Sequence, residues 1–180
     1  MKYPPATSFK GMILWGANKY NGPLAVPGMY QVRLSSAGKT ISQSFEIKLD
    51  PRIKDVTNAD LTEKFNLAMQ IKNEVSKANE AVIKIRSIKD KLAKTNSTEN
   101  DQLFVDQLSI IEGNLYQVKN QSSQDPLNFP IKLNNKLAAL QRVVESGESK
   151  PTASSYIVFK ELKSELEVEL NKLERILKAH

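Results

Sequence analysis

The sequence predicts an α+β chain: part of a β-sandwich, then an antiparallel four-helix bundle. Three observations predict it. Between Tyr30 and Ile47 apolar and polar residues alternate with period two, the mark of strands with one buried face. From about residue 58 the apolar spacing changes to threes and fours, the helical period, in four separate stretches. Between the two regimes, "LDPRIKDVTNADL" provides Pro51 to end a strand and Thr57 with Asp60 three residues on, an acidic form of the capping box that starts a helix. The expected division is residues 1–56 for the partial sandwich, with about three strands, and 57–180 for the helices.

Taken in order, "MKYPPATSF" is extended or looped, because paired prolines exclude helix. Gly11–Trp15, "GMILW", is a strand candidate, and "GANKYNGPLAVPG" is a loop rich in Gly, Asn and Pro. A hairpin follows. Its turn is Ser36-Ala37-Gly38-Lys39, with Gly38 free to take positive φ. One of its faces is expected to bury Tyr30, Val32, Leu34, Ile41, Phe45 and Ile47. The first helix, about 58–94, carries Ile71, Val75, Ala78, Val82, Ile85 and Leu92 on one stripe. The second, about 100–119, carries Phe104, Leu108, Ile111, Leu115 and Val118; Gly113 inside it costs about 1 kcal/mol relative to Ala. The third, about 130–146, presents Leu133, Leu137, Leu140 and Val144, with Pro130 in its first turn and Gly147 as its stop. The fourth, about 153–178, presents Phe159, Leu162, Leu166, Leu170, Leu173 and Leu177. Short polar links make an antiparallel bundle with one shared core the economical packing. Three strands bury too little to stand alone. They must pack on the helices, pair with another chain, or belong to a sandwich whose other strands lie upstream of Met1.

Composition limits the chemistry. The chain has 180 residues, of which 40% are hydrophobic and 26% charged, the balance of a globular protein. It has no cysteine, which excludes disulfides, thiol catalysis and cysteine-ligated metals. The single histidine is His180, the last residue, so the Glu-x-x-His pairs of di-iron bundles cannot form, and no cofactor is expected. No apolar run approaches the roughly 18 residues of a spanning helix. Gly11–Trp15 is too short for a signal peptide's apolar region, so no export signal is expected in the chain as written. The net charge of +6 comes mainly from lysines scattered among acids, without an aromatic stacking platform, a pattern of solubility rather than of nucleic-acid contact.

Candidate site residues are few. A glycosidase needs two carboxylates about 5–10 Å apart across a cleft. Glu161, Glu165 and Glu169 share a helix face but interleave with Lys160, Lys163 and Lys172, as a solvated, salt-bridged face does. Asp50 and Arg52 are placed for a local ion pair. Trp15, Tyr20 and Tyr30 could stack on a sugar; Trp15 and Tyr30 fall in strand patterns and are expected in a core, whereas Tyr20, in the Asn-Gly loop, is expected to be exposed. The candidate ligand contacts are therefore Tyr20 and Trp15, with no catalytic or metal-binding residue. Two sequons, Asn96-Ser97-Thr98 and Asn120-Gln121-Ser122, lie at or near loops.

Two stretches carry a family resemblance. The first contains Pro27, Gly28, Tyr30, Val32 and Leu34, then Asp50, Pro51 and Arg52; the second contains Asn79, Glu80, Ala81, Val82, Ile85 and Arg86. Together with "PTASSYIVFKELKSELEVEL" they resemble the C-terminal region of large bacterial exported proteins described as sortilin-like, or BNR-repeat, glycosyl hydrolase-like. The resemblance covers nearly the whole chain. It implies a β-propeller first, an immunoglobulin- or fibronectin-like sandwich closing with a P-G-x-Y-x-V-x-L strand, then helices. The Asp-box repeats of that propeller do not occur here, so no catalytic residue carries over. What the resemblance implies is an exported, non-catalytic accessory region. Its partners would be the upstream propeller and sandwich strands of the same protein, or a second copy meeting the open sheet edge. A carbohydrate- or peptide-binding module using the Tyr20 loop is the alternative.

Overall fold

The computed structural model describes residues 1–95 and 98–180. Two strands, β1 (Gly28–Ser36) and β2 (Lys39–Ile47), precede four helices: α1 (Asn58–Leu92), α2 (Glu99–Leu115), α3 (Leu133–Glu145) and α4 (Ala153–Ala179). The fold is α+β, with four helices around one core and a two-stranded antiparallel sheet.

The helices begin where the caps dictate. Thr57 Oγ1 accepts the Asp60 amide at 3.2 Å, and the Asp60 carboxylate accepts the Thr57 amide at 2.9 Å. Thr98 and Asp101 repeat the arrangement at α2, and Thr152 caps α4 through the Ser155 amide. Each cap hydroxyl satisfies one of the orphan N–H groups of its helix's first turn. Along α1, a helix of roughly 50 Å at 1.5 Å per residue, Leu67, Ile71, Val75, Ala78, Val82 and Ile85 are buried. They meet Leu108, Leu115, Leu137 and Leu166, also fully buried. α1 packs against each of the other three helices. α2 stops at Leu115, short of the expected 119, because Tyr116 turns into extended backbone (φ −137°, ψ 143°). Val118, expected in the stripe, is thereby left exposed on the loop. Pro130 lies ahead of α3, which starts at Leu133.

The first 27 residues form no sheet with the hairpin. Residues 1–3 and 23–25 meet in a short antiparallel clasp, with Tyr3 N donating to Pro23 O (2.8 Å) and Ala25 N to Met1 O (3.0 Å). Gly22 is required there, since a β-carbon would fall 1.9 Å from Tyr3 O. Between the two arms of the clasp, residues 4–22 loop over the helices as a strap. The strand expected at Gly11–Trp15 is absent. Its backbone groups bond instead to the side chains of Tyr116, just past α2, and Asn135 of α3, and Met12 enters the helical core.

The hairpin turns at the expected residues and sets its apolar positions on one face. Tyr30 opposes Phe45, Val32 opposes Gln43, and Leu34 opposes Ile41. Only the base of that face is covered among the described residues: Tyr30, Phe45 and Ile47 are half-buried, while its outer part lies open. Val32 is 54% exposed, Leu34 68% and Ile41 70%, against the expected burial. No Cα of either strand lies within 8 Å of a Cα in a helix. Among the described residues the sheet has two strands rather than the expected three or so, and no sandwich is seen. The hairpin is tied down only near its base, where Tyr30 donates to Val26 O at 2.8 Å and Tyr3 packs between it and Phe65 of α1.

Candidate functional site: a cleft under the strap

The strap is held by side chains that read its backbone. Asn79 Nδ2 donates to Thr7 O at 2.7 Å, and Thr7 N donates to Ser76 Oγ at 3.0 Å. Tyr116 takes the Ile13 amide at 3.2 Å and donates to Gly11 O at 3.3 Å. Asn135 makes both bonds to Trp15, accepting its N–H and donating to its carbonyl at 2.7 Å each, as a paired strand would. Arg142 Nη1 donates to Gly16 O at 3.0 Å. Phe9 sits edge-on to Tyr116, with the Arg86 guanidinium 4.7 Å from its ring centre. Arg86 is in turn held by the buried Glu112 carboxylate at 2.6 Å, which Lys89 also reaches at 3.0 Å.

Where the strap rises off the helices it leaves a cleft of about 620 Å³ against α1 and α3. Met12, Leu14, Val75 and Ala138 line its apolar part. Residues 16–19 and Asn21, the loop around Tyr20, form one wall, and Gln141, Arg142 and Glu145 of α3 form another. Lys2, Lys19 and Arg142 bring three positive charges to a cleft that holds one carboxylate, Glu145. That carboxylate is occupied, accepting the Leu24 amide at 2.9 Å and Gln141 Nε2 at 3.0 Å. Lys19 Nζ donates to Met12 O at 3.2 Å and lies 5.3 Å from the centre of the Tyr20 ring, while Tyr20 itself is not among the residues lining the cleft.

The predicted residues fall in different places. Tyr20 is 75% exposed beside the cleft. Trp15, expected in a core, is 41% exposed: its backbone is fixed by Asn135 while its ring stays partly in water. Asp50 and Arg52 form the expected local ion pair, with Nη2 2.6 Å from Oδ2, and the guanidinium holds the Asp50 carboxyl below the usual range. Glu161 is exposed. Glu165 faces Lys136 at 3.9 Å. Glu169 is buried rather than solvated, bonded to Lys172 at 2.7 Å and Asn114 at 3.2 Å. The sequon at Asn96 and Ser97 lies outside the described residues.

Sequence reading missed Asn135, Tyr116 and Arg142. The visible signal was "LNNK" opening α3. Asn is a poor helix-interior residue, so two in succession point to bonds made outside the helix. Asn79 and Glu80, singled out in the "NEAV" stretch of the sequence, hold Thr7, Glu80 through the Thr7 hydroxyl at 2.8 Å. Among the described residues no helix is long and apolar enough to cross a membrane.

No family model matches the chain, and no curated protein or solved structure is significantly similar to it.

Proposed function

We propose that the chain is a non-catalytic accessory region of a larger exported protein of the sortilin-like type, acting as a spacer and docking element beside its propeller. On this reading β1 and β2 close an immunoglobulin- or fibronectin-like sandwich whose other strands come from upstream, and the four helices form an antiparallel bundle beneath it. The carrying observation is the uncovered apolar face of the hairpin, with Val32, Leu34 and Ile41 in water and both edges unpaired among the described residues. A lone two-stranded ribbon is marginal in water, and such a contiguous apolar face marks a site of contact. The clasp supports the reading: Met1 is bonded to Ala25, three residues before β1, so polypeptide leading into Met1 would arrive at the hairpin's base. The test is the size of the native protein, read with an antibody to the helices on a blot of source cells. A band several times the 20.2 kDa of this chain is expected. A band at that mass would overturn the reading and leave self-association through the sheet edge as the cover.

A second reading, a carbohydrate- or peptide-binding module, draws on the cleft, because the Tyr20 loop forms one of its walls. Titration of soluble glycans against the protein and its Tyr20→Ala variant tests it. Equal binding by the two removes Tyr20 from the site.

A further inference from the structure

The cleft has a chemistry that selects among ligands, and the inference drawn from it rests on the second reading above. We infer that the cleft binds an acidic sugar, a ring bearing hydroxyls and one carboxylate. Charge is the first argument. Three cations line the space, and its only carboxylate already accepts two hydrogen bonds. Lys2 is the freest of the three: among the described residues its Nζ has no hydrogen-bond or ion-pair partner, although its backbone is fixed by the clasp to Leu24. Arg142 uses only Nη1 on Gly16 O, which leaves the other guanidinium donors for a carboxylate. Such charge-assisted bonds are roughly twice as strong as neutral ones.

The second argument is the neutral lining. The side-chain amide of Asn21 and the carbonyl oxygen of Gln141 make no hydrogen bond among the described residues, and both border the cleft. Amides that offer donors and acceptors together suit hydroxyl groups, which also do both. The third is the apolar floor of Met12, Leu14, Val75 and Ala138, which suits the C–H face of a pyranose. A bare inorganic anion would use the cations and waste the rest; a neutral sugar would leave the cations unpaired.

The test titrates the intact chain with D-galacturonate, galactose and acetate, by calorimetry and by the fluorescence of Trp15, the only tryptophan and the neighbour of the cleft residue Gly16. Galacturonate is expected to bind at least about tenfold more tightly than either of the others, the worth of one charge-assisted bond. Lys2→Gln is expected to weaken it about five- to tenfold with Tm unchanged, and Asn21→Ala to weaken it independently, since neither side chain holds the fold. Galactose binding as tightly as galacturonate would overturn the acidic-sugar inference while leaving the module reading intact. Acetate binding as tightly would reduce the cleft to a simple anion site and also overturn it. Binding of neither sugar would overturn the inference and leave the module reading to its own glycan and peptide titrations.

Discussion

Asn79 lies in the middle of α1, fully buried, and joins three parts of the molecule. Its Nδ2 holds the strap at Thr7 O, and its Oδ1 accepts Asn134 Nδ2 of α3 at 3.0 Å. Asn134 Oδ1 is buried without a partner among the described residues, so nothing nearby stands ready to replace the Asn79 amide. Asn79→Ala would orphan a carbonyl and an amide in the core. At about 1–3 kcal/mol for each unpaired group, a loss of about 2–4 kcal/mol in a urea melt is expected; a loss below 1 kcal/mol would mean water replaces the amide. Asp60, Asp101 and Asp125 are held below the usual carboxylate range by hydrogen bonds, Asp60 mainly from the Thr57 hydroxyl, Asp101 from the Thr98 amide and Asp125 from the Gln121 amide. Their folded values lie below the unfolded one near 4, so their stabilisation is complete above about pH 4 and is lost as pH falls through the folded values. Thermal stability is expected to drop in that acid window, and the double variant Asp60→Asn, Asp101→Asn to flatten the drop. Tyr156 is the opposite case: partial burial, with its hydroxyl donated to Glu63 at 2.7 Å, pushes it up to about 12. Its contribution persists below pH 10 and is lost as pH climbs toward 12. Burial raises Tyr30 as well, so two of the five tyrosines should ionise late in an ultraviolet titration, and Tyr156→Phe should remove one of those steps.

At the scale of elements the hairpin and the helices should behave differently. Amides of β1 and β2 have only one another, and no helix covers them, so hydrogen exchange there should be far faster than in α1 and α3. Exchange as slow as in the helices would mean the face is covered in solution by another copy. The turn is a further weak point. Ala37 (φ 48°) shares the left-handed region with Gly38 (φ 76°), a geometry that favours Asn-Gly. Ala37→Asn should slow exchange across the hairpin. Gly113 in α2 has open space where a β-carbon would go, so Gly113→Ala should stabilise by up to about 1 kcal/mol. The helices were legible because burial, period and caps agree: Thr57 with Asp60 starts α1 where the sequence says it should. The strap was not. "GMILW" has the composition of a strand, but nothing local says that its hydrogen-bond partners are an asparagine and a tyrosine more than 100 residues away. The cleft was illegible for the same reason, being made by long-range contact between a loop and α3, although the Tyr20 loop that borders it was visible.

Across the whole molecule, the chain passes from strap to hairpin to helices, yet the strap returns to the helices while the hairpin stands off. Residues 48–56, between β2 and the Thr57 cap, contain Lys48, Arg52 and Lys54 and no regular secondary structure. A polar stretch of this kind is where proteases cut. The strap is not held by that covalent link. It is held by Asn79, Tyr116, Asn135 and Arg142, and by Met12 in the core. A single tryptic cut in this junction should thus leave an N-terminal piece of about 50 residues and a helical piece that travel together on native gel filtration and separate only in denaturant. The protein is in effect two complementary halves that happen to be synthesised as one, and the same junction could be opened to make a split pair whose reassembly reports that the two halves have met.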